Sequence, residues 1–300
     1  MNKLLKQAFT LIELLVVIAI IGILSGLIVV SMSGVTQKAT IAKAQVFSNS
    51  LRNSLMMNIV SEWKLDGGTV GNNAITANIV DTWSTNNATA VAGNLSIKGG
   101  TDCVIGNCLN FNGSSYINFG NIHNSTFSGN FSLSIWFKTD FNSSDWVTYL
   151  IEKGNGSLPY FAVGIRGSQY GATNSNKIVI RYNNDADLGA SNKKYVDNNW
   201  HNVVIVRNLD AGTVIMYIDG VAESPFENLL YTGFASDLTV GSACGSRNFN
   251  GFIDEIRLYN AVVSAFQIKE QYYVGLNKML NSGNMSREDY LTRINSIANE

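Results

Sequence analysis

Few side chains in this sequence are spaced to do chemistry. Asp254 and Glu255 stand side by side in the run Gly251-Phe-Ile-Asp-Glu-Ile-Arg-Leu-Tyr-Asn260, and two carboxylates flanking one bond are a glycosidase's acid and base. Neighbours on a strand point to opposite faces, so these two cannot serve a single bond. Glu255 and Arg257, two apart, are instead expected to pair on one surface face. His123 and His201 are the only histidines, and neither lies in a His-Glu-x-x-His pattern. Three cysteines neither fill a zinc site nor make an even disulfide framework. Cys103 and Cys108 bracket Val-Ile-Gly-Asn, whose Gly106-Asn107 pair could turn the chain and bring the sulfurs within bridging distance. Two unrelated buried thiols are the alternative. Cys244 has no local nucleophile signature and reads as a small buried side chain. The residues therefore point away from an enzyme.

The ionisable residue in the most costly place is Glu13. From Leu11 to Val30 it is the only charged side chain, and twenty residues of helix cover roughly 30 Å, the hydrocarbon thickness of a bilayer. Lys3 and Lys6 should keep the preceding leader cytoplasmic. A secretory signal cut near Ser31-Met32-Ser33 is the competing reading. The apolar run is longer than the usual signal core, and an unpaired carboxylate within it costs on the order of 2 to 3 kcal/mol, so it requires a partner. A free amino group on a neighbouring helix would be one.

Lys-Gln-Ala-Phe-Thr-Leu-Ile-Glu-Leu-Leu, positions 6–15, strongly resembles the class III signal of type IV prepilins and pseudopilins. The resemblance implies a membrane peptidase that cuts between Ala8 and Phe9 and methylates the new amino group of Phe9. It also implies that Glu13 pairs with a neighbouring subunit's terminus during assembly. Ala8 stands where that family usually has Gly.

The elements that must carry these residues follow from periodicity. Ile41, Ala44, Phe47, Leu51, Leu55 and Ile59 recur at spacings of three and four without a proline between Val35 and Ser61, which predicts one helix from Phe9 to about Ser61, roughly 80 Å long. Gly22 and Gly26 form a small-xxx-small pair suited to close helix approach. Beyond Trp63 the period becomes strand-like. Phe131-Ser-Leu-Ser-Ile-Trp-Phe alternates, and His201-Asn-Val-Val-Ile-Val-Arg and Val214-Ile-Met-Tyr-Ile-Asp-Gly-Val are short β-branched runs closed by turn residues. With 2 prolines against 27 glycines, turns must come from Gly and Asn, as at Asp219-Gly220. Such runs predict a β-sandwich. Ser264 with Gln267 and Ser286 with Asp289 mark the starts of two C-terminal helices.

The order of these segments resembles the laminin-G-like or concanavalin A-like jelly roll over about residues 62–270. The pieces are Trp63-Lys-Leu-Asp66, Leu109-Asn-Phe-Asn-Gly113 with Tyr116-Ile-Asn, Phe131 to Phe137, Trp200-His-Asn-Val-Val204, Tyr217-Ile-Asp-Gly220 and Gly251 to Asn260. The resemblance implies a structural calcium held by oxygen ligands, with Asp66 and Asp254 in the corresponding motifs; turn capping by the same two residues is the alternative. It also implies glycan binding, for which Trp83, Trp146, Tyr149, Tyr160 and Tyr170 sit in or beside Gly, Asn and Ser stretches.

The expected fold class is α+β: a long pilin-type helix, an antiparallel β-sandwich head and short C-terminal helices. The expected units are a leader at 1–8, the helix at 9–61 with its membrane span at 11–30, the sandwich at 62–270 and a helical tail at 271–300. A net charge of -1 with 14% charged residues leaves no basic field to gather nucleic acid. The expected partners are the prepilin peptidase, other pilin subunits, the inner membrane before assembly, and a glycan or surface ligand. The expected route runs from inner membrane to extracellular filament or cell surface. The function reads as a filament subunit with a displayed lectin-like head, a minor or tip subunit by its bulk. A secretion-system pseudopilin and a membrane-tethered glycan-binding or glycan-cleaving protein are the alternatives.

Overall fold

The computed structural model describes residues 11–12, 14–23, 25, 56–154, 160–182, 186–223, 225–227, 234–242 and 247–298. The chain divides into two compact units, 1–54 and 55–300. In the first unit the described residues between 11 and 25 are helical, and Leu11, Ile12, Ile18 and Ile23 on it are exposed. Among the described residues no helix is long and apolar enough to cross a membrane. Ala8, Phe9, Glu13 and Cys244, and the expected helix stripe through residue 55, lie outside the described residues.

The second unit is a sandwich of two antiparallel sheets. The first runs Val221–Ala222, Thr213–Ile218, His201–Asn208, Phe131–Lys138, Asn250–Tyr259, Asn107–Asn112, Ser96–Gly99, with Ile59–Trp63 also on Asn250–Tyr259 and Phe226–Glu227 on Thr213–Ile218. The second runs Ala186–Lys194, Lys177–Tyr182, Phe161–Arg166, Val147–Lys153, Leu238–Val240, Tyr116–Asn118, Ala90–Ala92. Alternation fills the space between them: Phe131, Leu133, Ile135 and Phe137 meet Phe161, Val163, Ile178 and Ile180 in one core. The Asp219-Gly220 turn has φ 54° and 81°, and two positive φ values in a two-residue loop give the primed turn whose twist matches a hairpin.

Residues 59–61, expected as the end of the long helix, are strand. Ile59–Trp63 pairs antiparallel with the last strand, Ile59 opposite Tyr259 and Trp63 opposite Ile256. Ser61 and Trp63 are buried while Glu62 between them is not, so sheet pairing overrides a helical spacing that Ile59 satisfies equally well.

The first sheet's outer face is closed by the chain's own C-terminus. The helix Ala265–Asn281 starts in the expected box, Ser264 and Gln267 capping each other reciprocally, and buries Ile268, Tyr272, Leu276 and Met279. Tyr272 stacks on Trp136 with ring centroids 5.5 Å apart. A Cβ at Gly275 would stand 2.3 Å from the Trp136 ring, so only glycine lets the helix come this close. The second helix, Arg287–Ala298, begins where Ser286 Oγ accepts the Asp289 N–H at 3.0 Å. Its Ile297 joins the same cluster with Trp200 and the Cys103 and Cys108 side chains.

Candidate functional site

Cys103 and Cys108 form a disulfide with Cα atoms 5.4 Å apart. The loop they close turns its backbone N–H groups toward both expected calcium ligands. Asp254 Oδ2 accepts from Val104 at 2.9 Å and Ile105 at 3.2 Å, and Asp66 Oδ1 accepts from Asn107 at 2.8 Å. Asp254 is fully buried, and its Oδ1 has no hydrogen-bond partner among the described residues. Burial first, then the Glu255 charge, pushes its carboxyl well above the usual carboxylate range, and Asp66 adds to the push. An orphaned buried oxygen among like charges fits an oxygen-seeking cation. Among the described residues no group of three or more Asp, Glu, His or Cys converges on a metal, so an ion here would draw on Asp254, Asp66 and backbone carbonyls.

The opposite-face expectation for Asp254 and Glu255 does not hold, because the strand carries a bulge. Asn250 to Ile253 pair with one neighbour on that edge and Ile256 to Tyr259 with another. The register on the other side shifts between Asp254 and Arg257, and Glu255 sits at φ 49°. Bulges re-aim side chains: Ile253 and Ile256 both take the core side, and the two carboxylates between them are both buried, Asp254 against the disulfide loop and Glu255 against Arg257. Glu255 and Arg257 do pair, but inside the protein rather than on its surface: Glu255 is 2% exposed, and Arg257 also donates to Glu62 Oε1 at 2.8 Å. Buried to this depth, neither Asp254 nor Glu255 can reach a substrate.

Both histidines are occupied structurally. Ser61 Oγ donates to Asp81 Oδ2 at 2.6 Å and meets His123 Nε2 at 2.7 Å. A hydrolytic triad needs the imidazole between hydroxyl and carboxylate; here the fully buried serine is in the middle, and burial holds His123 below its ordinary value. Asp81 also accepts from the N–H groups of Glu62, Trp83 and Ser84, so the node fastens the first strand to its loop. His201 is clamped between Asp219 at 2.7 Å and Asp197 at 2.9 Å. Burial alone would lower it, but the Asp219 and Asp197 carboxylates lift it to about 9. Lys153, also buried, donates to Ile122 O at 2.6 Å, Asn124 Oδ1 at 2.7 Å and Ser236 O, and burial lowers it to about 8.

The outer face of the second sheet has a different character. Phe161, Val163 and Ile165 point to the core, so Ala162, Gly164 and Arg166 point outward, as do Val179 and Arg181 on the next strand. Over this floor of small residues lie long polar and aromatic side chains. Arg166 Nε and Nη2 donate to Asp187 Oδ2 at 2.9 and 2.7 Å, and Arg181 Nε lies 3.1 Å from Asp187 Oδ1. Arg181 and Arg247 both donate to the Tyr149 hydroxyl, at 2.8 and 2.9 Å. The Arg166 guanidinium sits 4.6 Å from the Tyr170 ring centre, and Trp146 meets that ring edge-on at 5.4 Å. Burial, followed by Asp187, raises the Tyr170 phenol. Of the five aromatics singled out for glycan contact, Tyr149 and Tyr160 are buried, Trp83 is 41% exposed and Trp146 57%. The three arginines carried no sequence signal, since Tyr149 and Arg247 are 98 positions apart.

Residues 111–269 match the concanavalin A-like lectin/glucanases superfamily, and residues 4–29 match the prokaryotic N-terminal methylation motif. That motif implies processing by a prepilin peptidase and pilin-type assembly. The adhesion G-protein coupled receptor V1 of Danio rerio is 28% identical over 155 residues, 47% of this chain and 2% of that protein. This chain thus spans a small fraction of that relative. Domain 4 of AbnA, an extracellular arabinanase from Geobacillus stearothermophilus solved with arabinotriose, superposes with TM-score 0.53 and 18% identity, covering 71% of this chain and 97% of that one. A botulinum neurotoxin type C structure superposes with TM-score 0.55 and 16% identity, covering 75% and 53%. At these identities the superpositions establish the fold. The chain belongs to the concanavalin A-like lectin/glucanases superfamily and carries that domain behind a type IV prepilin-type N-terminal motif.

Proposed function

We propose that this chain is a type IV pilin-like filament subunit whose jelly-roll head binds glycans at a cell surface. The carrying observation is the joining of a methylation motif at 4–29 to a lectin-type domain whose second sheet presents Trp146 and Tyr170 beside guanidinium and carboxylate groups. Aromatic faces and fixed polar forks are the two contacts that sugars use. The leader is cut between Ala8 and Phe9, Phe9 is methylated, and Glu13 neutralises a neighbour's terminus in the filament. The head's bulk favours a minor or tip position over a densely packed shaft. Binding is favoured over cleavage because Asp254 and Glu255 are sealed in the bulge. Peptide mass spectrometry of protein sheared from cells, with a glycan array probed by the full chain in detergent, tests the reading. A methylated Phe9 and retained glycans are expected; a chain starting at Gly34, or an array that stays blank, would refute it.

A second reading concerns calcium, favoured by the orphaned Asp254 Oδ1 beside Asp66. The ion would tie the disulfide loop to the bulge and leave glycan contact to the other sheet. Native mass spectrometry and melting with calcium or chelator decide it: one retained ion and a higher melting temperature are expected. An identical melt in chelator with no ion retained would remove calcium.

A further inference from the structure

We propose that the C-terminal helix pair is a lid over the Cys103–Cys108 bridge, closing after the bridge has formed and then shielding it from reduction. The proposal stands apart from glycan recognition and takes from the N-terminal motif only that the head leaves the cytoplasm.

Access orders the events. Cys103 and Cys108 are fully buried, in one cluster with Tyr272, Leu276 and Met279 of the first helix and Ile297 of the second. Forming the bridge removes two electrons and two protons from the two thiols, and a disulfide oxidant takes the electrons. One cysteine thiolate attacks that oxidant to give a mixed disulfide, and the other then displaces the oxidant as a reduced thiolate. Both displacements need a free approach to sulfur, so the oxidant reaches the cysteines only while the helices are off them. A reducing thiolate attacking in the opposite sense meets the same cover. The oxidising surroundings outside the cytoplasm let the bridge form first.

The bridged loop also builds the helices' seat. Asn284, between the two helices, donates through Nδ2 to Gly100 O at 2.9 Å and also to Cys103 O. Trp200 Nε1 donates to Asp102 O at 3.0 Å, and Trp200 O accepts from Arg293 Nη1 of the second helix at 2.6 Å. Opening the bridge frees residues 100–108 and scatters these acceptors, so the helices lose their docking points. The pair moves as one body, because the Tyr290 hydroxyl donates to Asn277 Oδ1 at 2.8 Å and Asn284 N–H to Met279 O at 2.8 Å. It lies almost wholly beyond residues 111–269, which match the lectin fold, and so forms a unit able to open while the sandwich stays closed. Such coupling is reciprocal. If the bridge favours the closed lid tenfold, the closed lid favours the bridge tenfold, about 30 mV in its reduction potential.

The test uses the full chain in detergent micelles and follows reduction of the bridge by dithiothreitol, read by alkylation and mass spectrometry. Asn284→Ala, which unties the helix pair from the loop, should speed reduction about tenfold or more. Ile178→Val, a core change in the second sheet, should leave the rate at its wild-type value. Equal rates for wild type and Asn284→Ala would overturn the lid, and so would equal acceleration by both substitutions, which would mean that the bridge is reached through global unfolding. Hydrogen exchange reads the coupling from the other side. Amides of residues 265–298 should exchange sooner than the slowest amides of residues 177–182, and replacing Cys103 and Cys108 by serine should speed them by about a further tenfold. Helix amides that exchange only together with the sheet, or that keep their rate without the bridge, would overturn the inference. If the serine variant does not fold, the reduction rate of Asn284→Ala, which keeps both cysteines, decides alone.

Discussion

The two outer faces of the sandwich solve the same burial problem in opposite ways. The first sheet's outer side carries Trp136, Trp200, Val204, Val206 and Tyr217 and is sealed by the C-terminal helices. Its charged groups are locked into clamps such as Asp197–His201–Asp219. The second sheet's outer side has a floor of Ala162, Gly164 and Val179, and among the described residues none of its cluster comes from the C-terminal helices. Arginine and tyrosine cover it, and Trp146 remains in water. Apolar outer residues call for a permanent cover. Small outer residues leave room for long arginine and tyrosine side chains to lie over them in a fixed network. One face is therefore committed to stability, and the other carries the surface proposed for recognition.

Breaking the covered face should have the largest effect. Trp136→Ala removes the ring that stacks on Tyr272 and should cost about 3 to 5 kcal/mol in urea unfolding; a loss under 1 kcal/mol would mean that the helix contributes little. Arg257→Met strands Glu255 and Glu62 and should cost about 3 kcal/mol, the penalty of an uncompensated buried charge. An unchanged denaturation midpoint would show that the carboxylates relax to solvent. Replacing Cys103 and Cys108 together by serine frees a short loop and should cost about 2 kcal/mol, read as a lower melting temperature under non-reducing conditions only.

The His201 clamp sharpens the contrast through pH. Its imidazole titrates at about 9 when folded and near 6.5 when unfolded. Its contribution is therefore complete below about pH 6.5 and is lost as pH rises through about 9. Asp197 is depressed by the same contact, desolvation notwithstanding, so its share is lost as pH falls below about 3.8, the ordinary carboxylate value. With Asp197 45% exposed, about 2 kcal/mol is expected after screening. His201→Gln should flatten the stability slope between pH 6.5 and 9, and a slope shared by both proteins would assign it to other groups. The smallest effect belongs to the open face: Trp146→Ala should change stability by less than about 0.5 kcal/mol while glycan binding falls. A large loss of stability would make Trp146 a packing residue and dissolve the contrast between the faces.

Local rules were enough for what is local. The alternation of Phe131 to Phe137, the Asp219-Gly220 hairpin and the boxes at Ser264 and Ser286 depend on neighbours within a few positions, so they are legible in the order of the residues alone. The Cys103 to Cys108 spacing likewise allowed the bridge that formed. The methylation motif is also contiguous, and is legible for that reason. Other features depend on groups far apart in the chain and were set by how the strands and helices pack. Strand pairing, not helical spacing, set the state of residues 59–61. The bulge at Glu255 exists because the last strand must serve two neighbours on one edge, and it turned an expected surface pair into a buried one. The meeting of Tyr149 with Arg181 and Arg247 follows from strand order. A pleated sheet fixes which face each side chain takes, but only the arrangement of strands and helices fixes which face is left open.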